Sequence, residues 1–235
     1  MTRSEILTRV FESKQLLAEA VVAEIEREAR SAIESRGAFH LVLAGGSTPG
    51  IVYEILATRS HQWSAWNFYF GDERCAPTGD ALRNDTMARS NLLDLIEVSD
   101  DHVFSIPSEL GPLEGAANYS NTLAKVDCFD LVLLGLGEDG HTASLFPGNP
   151  WGETSDSAGA LPVMNSPKPP SERVSMSASR LSRSRRVLLL VTGEQKSDAL
   201  QELLAGSRSP VRAITPGEPL EVFGDAAAFA FSKGE

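Results

Sequence analysis

The sequence predicts an α/β fold: a single layered domain with a mostly parallel sheet and helices on both faces, Rossmann-like. Three observations carry the prediction. Apolar runs of strand length alternate with amphipathic helical stretches throughout the chain. The most polar, glycine-rich segments follow directly on apolar runs, as ligand loops do in open α/β sheets. The 235 residues are enough to bury one core without disulfide staples, so residues 1–235 are expected to form one domain.

In chain order, residues 6–11 read as a short strand. Ser13 then caps a long helix in which Leu16, Leu17, Ala20, Val21, Glu24, Ile25 and Glu28 give the helical repeat, and Gly37 ends it. Residues 39–44 are a strand, 45–47 a turn, 49–58 a helix and 66–70 the next strand, which enters a loop over 71–79. Asn84 or Asp85 can cap a helix through Met87, Asn91, Leu92, Leu95 and Ile96, followed by a brief extended piece at 103–106. A helix is expected over 112–125 and a fully buried strand over 129–135. Residues 148–170, rich in Gly, Pro and Ser, read as a surface excursion. Further strands are expected at 174–177, 187–191 and 226–231, with a helix over 194–204 between the last two. There is no internal repeat.

Composition narrows the function. Cys75 and Cys128 are the two cysteines, too few for a disulfide framework, and read as free thiols in a reducing cytosol. The first residues carry Arg3, Glu5, Arg9 and Glu12, unlike a signal peptide, and no apolar run approaches the roughly 20 residues that cross a bilayer. A cytoplasmic location follows. The net charge of −11 argues against nucleic acid and membrane as partners. It leaves room for a small anionic substrate at a locally positive site, on a monomer or weak homodimer.

The segment from Leu41 to Gly50 is a strand, a glycine turn and a helix with Pro49 in its first turn. Gly45 and Gly46 let the backbone approach an oxyanion, free N–H groups point outward at the helix start, and the Ser47 and Thr48 hydroxyls add donors. No Lys follows the glycines, so this is not a Walker loop. Asp72, Glu73 and Arg74 follow the strand at 66–70, at a carboxyl end where such sheets place ligands.

The loop Gly135-Leu136-Gly137-Glu138-Asp139-Gly140-His141 matches G-x-G-x-x-G, yet Glu138 and Asp139 would point carboxylates at a pyrophosphate, so a dinucleotide reading fails. His141 is the better centre, because imidazole takes and returns a proton near neutral pH. Asp139 or Asp72 can fix its tautomer. With no G-x-S-x-G elbow, water is the expected nucleophile. The scattered histidines His40, His61, His102 and His141 lack metal-ligand spacing, so no metal is expected. Lys168, Arg173 and Lys196 lie beside predicted strands, and any of them can pair a phosphate. Arg180, Arg183, Arg185 and Arg186 read as a solvated helix face.

These segments are specific enough to carry a resemblance. Gly45-Gly46-Ser47-Thr48-Pro49, Gly71-Asp72-Glu73-Arg74, Asn84-Asp85-Thr86-Met87 and Gly135 through Gly148, in this order and spacing, with Lys168-Pro169-Pro170 and Arg173, resemble the 6-phosphogluconolactonase family. The resemblance implies hydrolysis of 6-phospho-D-glucono-1,5-lactone without cofactor. It further implies His141 as the base that activates water, with Asp139 or Asp72 orienting it and Arg74 facing the developing oxyanion. Gly45, Gly46 and Ser47, with Arg173 and Lys196, would hold the 6-phosphate. Amino-sugar phosphate isomerases share the glycine turn, but their chemistry wants a carboxylate soon after the His, and residues 142–152 contain none. A non-catalytic sugar-phosphate sensor would have no use for His141 among acids.

Overall fold

The computed structural model describes residues 6–231. In chain order the elements are β1 (Ile6–Phe11), α1 (Lys14–Arg36), β2 (Phe39–Leu43), α2 (Ser47–Ala57), β3 (Trp66–Phe70), β4 (Asp72–Arg74) and α3 (Asn84–Asn91). Then follow β5 (Val103–Phe104), α4 (Pro112–Leu123), β6 (Phe129–Gly135), β7 (Ala160–Val163) and β8 (Arg173–Met176). The chain continues through α5 (Ala178–Ser182), β9 (Ser184–Val191), α6 (Ser197–Ala205) and β10 (Leu220–Asp225).

Local chemistry explains the opening. The Ser13 hydroxyl accepts the Leu16 N–H at 3.2 Å, and Gly37 ends α1 at φ 80°, a conformation that costs a glycine little. The buried stripe of α1 runs through Leu17, Val21, Ile25, Ala29 and Ala32, while Leu16 is exposed. The apolar face is thus turned by one residue from the one the spacing suggests, and it packs on the sheet.

Seven strands form one sheet in the order β1-β10-β9-β6-β2-β3-β5, every neighbouring pair parallel. Central strands of such a sheet are covered on both faces, which is why β6 beyond Asp130 and β9 from Val187 to Val191 are apolar runs. From β2 the chain steps outward through β3 to β5, then returns to β6 on the other side of β2 and proceeds through β9 to β10. The order therefore reverses between β2 and β6. At such a reversal the loops leaving two adjacent strands diverge and open a crevice at their carboxyl ends.

A second, antiparallel sheet, β4-β8-β7, was not anticipated. β4 lies inside the expected loop at 71–79, and β7 inside the expected surface excursion, where Trp151 is also buried. Strands of three or four residues carry no periodicity of their own; pairing with β8 creates them. The final strand is a correction as well: it is β10, not 226–231, which forms turns. Gly224 belongs in β10 because the Phe229 ring occupies the place of a Cβ, 2.4 Å from it. α3 stops at Asn91, where Leu92 leaves helical geometry (φ −145°, ψ −65°), and residues 93–95 make a single 3₁₀ turn.

The arginine cluster is not a solvated helix face. Arg183 and Arg185 are exposed, but Arg180 and Arg186 are buried. Arg180 donates to the Val126 carbonyl at 2.9 Å and lies over the Phe129 ring. Arg186, on β9, is ringed by Glu24, Glu28, Glu218 and Glu221.

Candidate active site

A cleft of about 390 Å³ opens at the carboxyl ends of the strands flanking the reversal. β2 delivers Gly45, Gly46 and Ser47; β3, through β4, delivers Asp72 and Arg74; β6 delivers His141; and the turn after β9 delivers Lys196. Arg173 enters from β8 as the register partner of Arg74. The cleft thus gathers residues from Lys14 to Lys196, 182 positions apart in the chain.

The glycine turn has the geometry the sequence suggests. Gly46 is the N-cap of α2 at φ 106°, with no side-chain cap, and the first bond across the helix start is Gly50 N–H to Gly46 O at 3.1 Å. The Ser47 and Thr48 amides precede that bond, as helix-start donors do. Thr48 lines the cleft as well, but its hydroxyl is spent on Thr192 Oγ1 at 2.7 Å and ties the start of α2 to the turn after β9.

His141 closes a tight loop in which Gly137 N–H donates to the His141 carbonyl at 2.7 Å and Gly140 adopts φ 81°. The imidazole lies directly on Gly137, where an added Cβ would stand 2.0 Å from Nδ1. Its other face packs on Phe146, with ring centroids 4.6 Å apart. Nδ1 meets the Asp139 carboxylate in a short contact. An ionised carboxylate only accepts, so Nδ1 carries the hydrogen and Nε2, on a residue that lines the cleft, keeps its lone pair. Burial lowers the His141 pKa below its ordinary value, against the opposing pull of Asp139 and, more weakly, Asp72. Burial also raises that of Asp139, but the imidazole beside it wins and holds the carboxyl low.

Asp72 is engaged elsewhere. It is buried, one oxygen accepting Ser144 Oγ at 2.6 Å and the other Asn84 Nδ2 at 3.1 Å. Of the two carboxylates, Asp139 alone touches the imidazole. Arg74 lines the cleft and donates to the Leu82 carbonyl. Arg173 is nearly fully buried; it donates to the carbonyls of Pro170 at 3.1 Å, Lys168 at 3.0 Å and Pro169 at 3.2 Å, and its guanidinium lies over Phe146. Lys196 faces Glu138 at 3.7 Å, and burial lowers its pKa. Among the described residues, no three His, Cys, Asp or Glu side chains converge to hold a metal ion, and no helix is long and apolar enough to cross a membrane.

The sequence model of the family described as glucosamine-6-phosphate isomerases/6-phosphogluconolactonase matches residues 12–223. The chain belongs to this family. Within the glucosamine-6-phosphate isomerase/6-phosphogluconolactonase family it is 33% identical to a 6-phosphogluconolactonase of Treponema pallidum, with 86% of each chain covered. It is 32% identical to that of Rattus norvegicus over 88% of this chain and 85% of the relative. The solved 6-phosphogluconolactonase of Trypanosoma brucei superposes with a TM-score of 0.87 at 27% identity, covering 95% of this chain and 97% of that one. A monomeric glucosamine-6-phosphate deaminase, at 21% identity and TM-score 0.81, shares the fold.

Several residues in the site of this family member carried no role in the sequence reading. Lys14, at the start of α1, and Gln195 line the cleft. Asp225, at the end of β10, accepts the Gly193 N–H at 3.0 Å and so fixes the turn that carries Lys196. Glu73 is fully buried and accepts three amides, from Arg74 and from Asn84 and Asp85 at the start of α3. Burial pushes its pKa up to about 7 against those donors. An acid in a charged tripeptide gives no sign of pointing inward; only its partners reveal it.

Proposed function

We propose that the chain hydrolyses 6-phospho-D-glucono-1,5-lactone to 6-phospho-D-gluconate, with His141 as general base. The observation that carries the reading is the imidazole braced by Asp139, with Nε2 free, sharing one cleft with an open helix-start anion site at Gly46 and Ser47. The acyl carbon needs a base and the distant phosphate needs amides and cations; the cleft offers both.

In the reaction, Nε2 takes a proton from water as its oxygen bonds to C1. The carbonyl oxygen gains charge facing Arg74. As C1–O5 breaks, the imidazolium returns the proton to O5, leaving a carboxylic acid that ionises and a hydroxyl on C5. Asp139 holds the imidazole in the productive tautomer and stabilises the transient cation. The low pKa of His141 keeps it neutral, and so a base, at neutral pH. The Gly45, Gly46 and Ser47 turn, with Lys196 and Arg173, holds the phosphate. One apolar cluster running through the described residues supports the reading of the chain as a single domain.

The test is acid release from freshly prepared lactone above the spontaneous rate. Wild type is expected to accelerate it, and His141→Ala to lose about 10² to 10⁴ in kcat with KM within threefold. Near-normal turnover by His141→Ala would remove the base assignment.

A further inference from the structure

Asn84 is a buried amide with half of its hydrogen-bonding capacity unspent. It is 2% exposed, yet it lines the cleft. Its Nδ2 donates to the Asp72 carbonyl at 2.8 Å and to the Asp72 carboxylate at 3.1 Å. Both partners are acceptors, which fixes the orientation of the amide: the nitrogen faces Asp72 and Oδ1 faces the other way. Oδ1 lies over Gly45, only 1.9 Å from where a Cβ on that residue would be, and no group among the described residues donates to it.

The backbone beneath Asn84 is clamped. Glu73 accepts the Asn84 N–H at 2.7 Å and the Asp85 N–H at 2.8 Å, while Arg83 pairs with Asp85 at 2.7 Å and reaches the Ile106 carbonyl at 3.1 Å. The side chain is therefore aimed before any substrate arrives. Its neighbour Asp72 already accepts from Asn84 and from Ser144, which leaves Asn84 Oδ1 as a neutral acceptor with a vacant lone pair between the glycine turn and Asp72. A neutral acceptor suits a hydroxyl donor and repels a nearby phosphate far less than a carboxylate would.

We propose that Asn84 is a specificity-determining residue: its Oδ1 accepts a hydrogen bond from a ring hydroxyl of the sugar lactone. The inference rests on the lactonase reading and deepens it. A site built to bond a hydroxyl penalises the analogue that lacks it, because a buried polar atom is then left unpaired.

The experiment measures kcat/KM for 6-phosphogluconolactone and its 2-deoxy, 3-deoxy and 4-deoxy analogues with wild type, Asn84→Ala and Gly45→Ala. The Gly45 methyl group would evict Oδ1 from its position, so it tests the same atom without changing Asn84. Wild type is expected to lose about 10- to 100-fold on one analogue. For that analogue, Asn84→Ala should cost less than threefold, whereas it costs about 10- to 100-fold on the full substrate. Gly45→Ala should flatten the same preference on top of a uniform loss from the phosphate turn. Equal losses by both variants on all four substrates overturn the proposal alone, because a bracing role between Asp72 and Glu73 would act on every substrate alike. Absence of wild-type turnover overturns the lactonase reading and the proposal with it.

Discussion

At the residue scale, the contact between Asp139 and His141 sets the pH response. Burial depresses the imidazole pKa and Asp139 raises it, so removing the carboxylate lowers it further. In Asp139→Asn the acid limb of kcat/KM is expected to move to lower pH, while kcat at neutral pH falls because the tautomer is no longer held. A pH–rate profile with an unmoved limb, or one shifted upward, would show that Asp139 is not the electrostatic partner. The two cations proposed to hold the phosphate separate in the same way. Among the described residues Lys196 pairs only with Glu138, at 3.7 Å, so Lys196→Ala should raise KM about tenfold and leave kcat and Tm alone. Arg173 is 4% exposed and satisfies three carbonyls of residues 168–170, so Arg173→Ala should raise KM and also lower Tm by several degrees. Thermal unfolding of the two variants side by side distinguishes them.

At the element scale, the loop after β6 depends on one missing side chain. A Cβ on Gly137 would stand 2.0 Å from His141 Nδ1, 2.2 Å from Cε1 and 2.6 Å from Asp139 Oδ1. Gly137→Ala must therefore lift the imidazole or part it from Asp139. The expected result is a loss of about 10²-fold in kcat, because a displacement of about 1 Å from productive geometry costs that much. Phosphate affinity, read by titration with 6-phosphogluconate, should be preserved. The same elements show what sequence can and cannot convey. β2, β3, β6, Ser13 and Gly37 were legible, because burial on both faces and cap chemistry leave marks on single residues. β4 and β7 were not, since each exists only through pairing with β8. Within the site, the glycine turn and His141 could be read from residue type. The roles of Asn84, Glu73 and Asp225 could not, for each depends on what a polar side chain meets across the fold.

At the scale of the whole molecule, the sheet order explains why distant loops meet, and the one cluster misjudged from sequence explains how the sheet holds α1. Alternating arginines near residue 183 look like a solvated stripe because charge runs carry no record of burial. Arg186, however, points from β9 beneath α1, with Nη1 3.0 Å from Glu24 and 2.8 Å from Glu28, Nε 3.4 Å from Glu218, and Nη2 against Glu221 of β10. One guanidinium thereby joins α1, β9 and β10. In Arg186→Ala those carboxylates face one another without their cation. The cost expected is about 3 kcal/mol, at the low end for a broken buried pair because the glutamates keep some water. For a chain of this size that lowers Tm by roughly 6–12 °C. Arg186 lies near the start of β9, five residues or roughly 17 Å from the carboxyl end that borders the cleft. kcat/KM at 25 °C should therefore be unchanged. Calorimetry paired with lactone turnover checks both halves: a large fall in activity in the folded variant would mean that the cluster steers the cleft as well as bracing the sheet.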